Sequence, residues 1–146
     1  INARAALFCA QRAAPLMEKC GGGYIVNLSS PGSQRVMPEY VVVGASKAAL
    51  EAVTRYLAVE LAPKNIVVNA VSPGVVATDA LKHFAAAREA DVFEKVIRAT
   101  PAGRLVTPED VASLGAFLCS PAAEMIRGAT IPIDGGATLP LTGVLE

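Results

Sequence analysis

Hydrophobic positions along this chain change period several times, and each change marks an element. From residue 2 to 20 they recur every three to four residues, with Leu7, Ala10, Ala14 and Met17 on one stripe, which predicts a helix. Pro15 is expected to interrupt and kink it, and Gly21-Gly22-Gly23 to stop it, because glycine takes the left-handed conformation a helix end prefers. The short apolar run Tyr24-Ile-Val-Asn-Leu-Ser29 reads as a strand, and residues 31–38, bounded by prolines, as a loop. A long helix follows over about 40–62, with Leu50, Val53, Leu57 and Leu61 as its buried stripe and Pro63 at its end. Ile66-Val-Val-Asn-Ala-Val71 is a second strand, broken by Ser72-Pro73-Gly74. Two helical patches lie between 79 and 99. Thr107-Pro-Glu-Asp110 opens another helix, running to about Cys119, with a threonine cap, proline at the first helical position and an acid three residues after the cap. Residues 129–133 form a third strand, Asp134-Gly135-Gly136 a turn, and the rest a tail.

Strands alternating with crossover helices of more than ten residues give the βαβ pattern of a parallel, doubly wound α/β sheet. In such sheets ligands bind beyond the carboxyl ends of the strands. Ser29, Ser30 and Ser72-Pro73-Gly74 lie at two such ends, and the helix after the first opens with Tyr40 and Lys47. The residues with chemistry are therefore expected on one edge.

Composition sharpens this picture. The 146 residues suit one domain, 1–146. The chain is 53% hydrophobic, with a mean hydropathy of +0.44, yet no apolar run approaches the roughly 18 to 20 residues of a membrane helix. The excess is expected to be buried against protein, as in strands covered on both faces. The chain also opens at Ile1, already inside a helical pattern. It is expected to be the C-terminal portion of a larger domain whose first βα units are missing. Thirteen basic and thirteen acidic residues cancel, without the basic stripe of a nucleic-acid surface. Cys9, Cys20 and Cys119 form no C-x-x-C pair, and His83 is the one histidine. Neither a disulfide framework nor a metal site is expected, and a reducing cytoplasm is the default compartment.

Tyr40 and Lys47 are seven residues apart, about 700° of helix, so they differ by only about 20° in direction and about 10 Å along the axis. A lysine ammonium near a phenol favours the phenolate and makes the phenol a better proton donor. A nearby serine hydroxyl, Ser30, can hold a substrate oxygen. Spacing alone leaves a second reading open, in which Tyr40 packs at a helix start and Lys47 is a solvated charge.

Gly22-Gly-Tyr-Ile-Val-Asn-Leu-Ser-Ser30, Gly44-Ala-Ser-Lys-Ala-Ala-Leu-Glu-Ala-Val-Thr54, Val68-Asn-Ala-Val-Ser-Pro-Gly74, Thr78 and Ile133-Asp-Gly-Gly136 resemble the short-chain dehydrogenase/reductase family over nearly the whole chain. The resemblance implies a Rossmann-like fold and nicotinamide-dependent hydride transfer. Most of that family has a tyrosine four before the lysine, where this chain has Val43. Its enoyl-acyl carrier protein reductases place the tyrosine seven before the lysine, which is Tyr40. Further segments, including Ile1-Asn-Ala-Arg-Ala-Ala-Leu-Phe-Cys-Ala-Gln11 and Arg55-Tyr-Leu-Ala-Val-Glu-Leu61, resemble the bacterial type III, NADPH-dependent group of these reductases.

The resemblance implies catalytic roles for Tyr40, Lys47 and Ser30, with Lys47 also on the nicotinamide ribose. Pro73, Gly74, Val76, Ala77 and Thr78 would form the cofactor-binding loop. Ser30 is open between substrate contact and loop support, and Asn2 between a proton relay and packing. Residues 80–96 match a segment that closes over substrate, with His83 either in the acyl channel or on the surface. Arg104 reads as a structural hydrogen-bonding arginine. The implied substrate is an enoyl group on acyl carrier protein or coenzyme A, in fatty acid biosynthesis. NADPH is the implied cofactor with NADH not excluded, and the implied assembly is a homotetramer. A ketone or alcohol reductase of the same fold, or a chain inactive by itself, is the alternative. The glycine-rich phosphate turn and the residues that choose between the two cofactors are expected in the missing front part.

Overall fold

A computed structural model of the chain describes residues 2–78 and 90–139. Helix α1 (Asn2–Lys19) leads to strand β1 (Gly23–Leu28), helix α2 (Val41–Glu60) to β2 (Ile66–Pro73), and helices α3 (Ala90–Ala99) and α4 (Pro108–Leu118) to β3 (Thr130–Ile133). The strands form a parallel sheet in the order β1-β2-β3. This is the expected doubly wound α/β arrangement.

The central strand explains the hydropathy. All eight residues of β2 are buried, because its two faces serve two cores. Ile66 and Val68 pack with Ala10, Ala14, Leu57 and Ala58 under α1 and α2. Val71, one pleat over, packs with Leu118 and Ala123 beneath α4. Alternate residues of a strand point to opposite faces, so one apolar run supplies both. The predicted helical stripes are the buried ones: Ala10, Ala14, Leu50 and Leu57 are inside, and Leu7, Met17, Val53 and Leu61 pack against them.

Buried polar groups are paired. The Asn27 side chain donates to the Thr54 hydroxyl (2.9 Å), and Asn69 donates to the Ile126 carbonyl (2.6 Å) while accepting from the Ala129 N–H (3.0 Å). Among the described residues no buried side-chain polar atom lacks a partner.

Several expectations shift. Helix α1 runs through Pro15 without interruption. Strand β2 extends through Ser72 to Pro73, because Pro73 still pairs with Ile133. Tyr40 stands just outside α2 as its cap residue and is not its first helical residue. The loop at 31–38 contains a 3-10 turn, Pro31–Ser33. The start of α4 is as predicted: the Thr107 hydroxyl accepts from the Asp110 N–H (3.2 Å), and the Asp110 carboxylate accepts from the Thr107 N–H (2.8 Å). Arg104 also grips Asp110, at 2.5 and 3.0 Å, the structural role expected of it. Those bonds, first from Arg104 and then from the Thr107 backbone, hold the Asp110 carboxyl well below the usual carboxylate range. The three cysteines are exposed and unpaired. Among the described residues there is no group of ligands able to hold a metal and no helix long and apolar enough to cross a membrane.

Candidate active site

The carboxyl end of β1 and the start of α2 meet over the 3-10 turn. Strand β1 ends at Leu28, and the Ser29 N–H is still held by the Val71 carbonyl (2.7 Å). The chain then bends. Ser30, in extended backbone, caps the turn, its hydroxyl accepting from the Gly32 N–H at 3.3 Å. The same hydroxyl lies 3.3 Å from the Tyr40 hydroxyl, and either oxygen can donate. The structure therefore joins the serine and the phenol that the sequence places ten residues apart.

Two glycines permit this closeness. A Cβ on Gly32 would lie 2.6 Å from the Tyr40 ring, and one on Gly44 would lie 2.5 Å from the Gly32 carbonyl oxygen. Tyr40 itself follows Glu39, whose φ of 58° is left-handed. That conformation is uncommon for a residue with a side chain, and it turns the chain into α2 at the phenol.

Lys47 is half-buried, and its ammonium donates to the Leu28 carbonyl at 2.5 Å. Burial lowers its pKa from the ordinary lysine value. It makes no hydrogen bond to Tyr40 among the described contacts. Its anchor is the end of β1, so Lys47 ties α2 to the strand whose continuation is Ser30.

Asn2 donates to the Ser46 hydroxyl (2.8 Å), which donates in turn to the Val43 carbonyl (2.7 Å). The Asn2 side chain thus braces the start of α2 and, among the described residues, makes no hydrogen bond to Tyr40 or Lys47. Val43, half-buried on that turn, carries no polar group to replace a phenol.

The segment after β2 is tied down more than a free loop. Gly74 N–H donates to Ile133, Ala77 N–H to Val106, Thr78 N–H to Val76, and Val106 N–H to Val75. Pro73 has no N–H to give. Of the residues expected to meet a cofactor, Val76 keeps its N–H and Thr78 its hydroxyl without a partner among the described residues. A Cβ on Gly74 would come within 3.0 Å of Asp134. Asp134 fixes the following turn by accepting from the Gly136 N–H (2.9 Å) and from both the N–H (3.0 Å) and hydroxyl (2.6 Å) of Thr138. Burial pushes its carboxyl up, but these bonds outweigh burial and hold it below its ordinary value.

A cleft of about 180 Å³ flanks the Ser30 turn on its β3 side, beside Gln34, Ser72 and Pro132. Neither Tyr40 nor Lys47 lines it, so it is not where these groups would act. The expected closing segment falls mostly, and His83 entirely, outside the described residues.

Sequence reasoning missed Glu51, which is 5% exposed and accepts from Ser29, Ser33 and Gln34 of the turn. Its signal was available: it sits one helical turn after Lys47 and beside Leu50 of the buried stripe.

Comparison with known proteins bears on the family and the fold. The family profile described as "Enoyl-(Acyl carrier protein) reductase" matches residues 1–138. An "NAD-dependent glycerol dehydrogenase" of Listeria innocua is 41% identical over 139 residues, covering 95% of this chain and 54% of the relative. A "1-cyclohexenylcarbonyl-CoA reductase" of Streptomyces collinus is 40% identical over 139 residues, covering 95% and 49%. The crystal structure of a 7α-hydroxysteroid dehydrogenase complexed with NADH and 7-oxo glycochenodeoxycholic acid superposes with a TM-score of 0.87 at 36% identity, covering 93% of this chain and 52% of that one. The chain thus spans about half the length of the relatives it matches. Within that span the fold and the sequence agree, and the chain belongs to the short-chain dehydrogenase/reductase superfamily.

Proposed function

We propose that the protein reduces the C2–C3 double bond of an enoyl thioester, carried on acyl carrier protein or coenzyme A, as a step of fatty acid biosynthesis. The observation that carries this reading is the placement of the phenol. Tyr40, seven before Lys47, meets Ser30 at 3.3 Å, and the place four before Lys47 is Val43. Two further facts support it: the description of the matching family, and a relative named for an unsaturated coenzyme A thioester.

The residues present fit a nicotinamide nucleotide. After its bond to Leu28, the Lys47 ammonium has two protons left, the donors a ribose diol needs. The Val76 N–H, without a partner among the described residues, is a donor for a carboxamide, while Gly74 lets this segment pack against Asp134, which a Cβ there would meet at 3.0 Å. When bound, the nicotinamide supplies the hydride that reduces C3. NADPH is the proposed form, by resemblance to the type III reductases. NADH is the alternative, and it is the cofactor in the superposed hydroxysteroid dehydrogenase.

In a ketone the carbon that takes hydride is bonded to the oxygen that takes the proton. In an enoyl thioester the negative charge develops on the thioester oxygen, two carbons beyond C3. A phenol set back three residues is shifted by about 4.5 Å along the helix, which suits that displaced oxygen. Tyr40 then donates to the enolate oxygen in the transition state and relays a proton, while Ser30 orients the phenol.

A second reading has named relatives behind it: reduction of a ketone or oxidation of an alcohol on the same residues. The glycerol and hydroxysteroid dehydrogenases support this second reading more directly than the first. Following NADPH oxidation with crotonyl and acetoacetyl thioesters separates the two. Turnover of the crotonyl thioester is expected, and turnover of the acetoacetyl thioester alone would replace the first reading with the second.

We also propose a homotetramer assembled through α1 and α2, because Phe8 and Leu16 on one and Tyr56 and Val59 on the other leave large apolar side chains exposed.

A further inference from the structure

Glu51 is the one buried carboxylate on the face of α2 that meets the Ser30 turn, and the proposed chemistry does not use it. It is 5% exposed, and no cation pairs with it among the described residues. One of its oxygens accepts from the Ser29 hydroxyl at 2.6 Å and from the Ser33 hydroxyl at 2.5 Å. The other accepts from the Gln34 amide at 3.3 Å. The Ser33 hydroxyl also lies 2.7 Å from the Ser30 carbonyl and shares its single proton between the two acceptors, so it bridges Glu51 to the residue whose own hydroxyl meets Tyr40.

Burying a carboxylate costs free energy unless hydrogen bonds replace its water. Hydrogen bonds to a charged acceptor are shorter and stronger than neutral ones. Here every donor to Glu51 comes from one six-residue stretch, 29–34, and none from elsewhere in the described chain. Gly44, Lys47 and Glu51 fall at i, i+3 and i+7 of α2 and so share a face. All three touch this stretch or the strand end before it: Gly44 lies against Gly32, Lys47 bonds Leu28, and Glu51 bonds Ser29, Ser33 and Gln34.

We infer that Glu51 is a positioning residue: its carboxylate clamps residues 29–34 against α2 and thereby sets where the Ser30 hydroxyl meets Tyr40. The catalytic relevance of that contact rests on the function proposed above, but the clamp itself can be tested without turnover.

The chain has three tyrosines, Tyr24, Tyr40 and Tyr56. In protein labelled with tyrosine carrying ¹³C at Cζ, each gives one NMR signal, assigned by tyrosine-to-phenylalanine variants and sensitive to hydrogen bonding at the hydroxyl. Without cofactor or substrate, Glu51→Ala is expected to move the Tyr40 signal alone, in the direction that Ser30→Ala moves it. Glu51→Gln, which keeps an oxygen for Ser29 and Ser33, is expected to leave it at the wild-type position. A Tyr40 signal unmoved in folded Glu51→Ala would overturn the inference, as would equal displacement of all three signals, the mark of general loosening. Should Glu51→Ala not fold, Ser33→Ala cuts the bridge to the Ser30 carbonyl and is read the same way, with an unmoved Tyr40 signal again overturning it. A clamp upheld in a protein that reduces no thioester would bring down only the proposed reaction.

Discussion

Lys47 shows how one side chain can be fixed structurally and remain chemically available. Its bond to the Leu28 carbonyl holds the ammonium at the end of β1, and its half-buried site lowers its pKa. The sign of the consequence is fixed by linkage. A lysine with a folded-state pKa below its unfolded value binds fewer protons folded than unfolded between the two. Stability therefore gains as pH rises through the folded pKa towards the ordinary lysine value. Urea midpoints across alkaline pH are expected to fall less steeply for the wild type than for Lys47→Met. Parallel curves would show that burial of Lys47 carries no such cost. The sequence showed that Lys47 and Tyr40 share a helical direction. It did not show that the lysine bonds a strand carbonyl, because that contact depends on where β1 ends relative to α2.

At the level of elements, the site is a junction: the end of β1, a 3-10 turn and the face of α2. Its tightest point is Gly44 against the Gly32 carbonyl. Gly44→Ala would place a methyl carbon 2.5 Å from that backbone oxygen, and overpacking of this kind costs about 1–3 kcal/mol. The loss is expected in urea unfolding, although alanine is the better helix former. A variant as stable as the wild type would mean the turn has room to withdraw. The strands and helices here were legible because their periods differ and their stripes are long, as with Leu50 and Leu57. The turn was not. Pro31 and Pro38 read as loop, Ser30 as a hydroxyl with two open roles, and Glu51 as an unremarked charge. Their meeting depends on contacts 10 to 22 residues apart. The one-residue shift at the start of α2 has a local cause: Glu39 takes a left-handed φ, which a glutamate does not announce.

At the level of the whole molecule, two faces of one buried strand order everything else. One face carries α1 and α2, whose outer sides leave Leu16, Tyr56 and Val59 more than half exposed. A second copy covering these sides would remove that apolar surface from water. Light scattering is expected to give four times the chain mass, and Val59→Glu to lower it; a monomeric wild type would contradict the proposed assembly. The same arrangement sets Ser30, Tyr40, Lys47 and the segment from Gly74 to Thr78 at the carboxyl edge of the sheet, where such sheets bind ligands. The family is legible in the motifs along the chain. The proposed reaction hangs on the difference between positions 40 and 43. That claim is tested most directly by crotonyl thioester reduction in Tyr40→Phe, with NADPH binding measured in the same preparation. Loss of one transition-state donor is expected to lower turnover about 10²- to 10³-fold while cofactor affinity stays unchanged. Unchanged turnover would contradict the account.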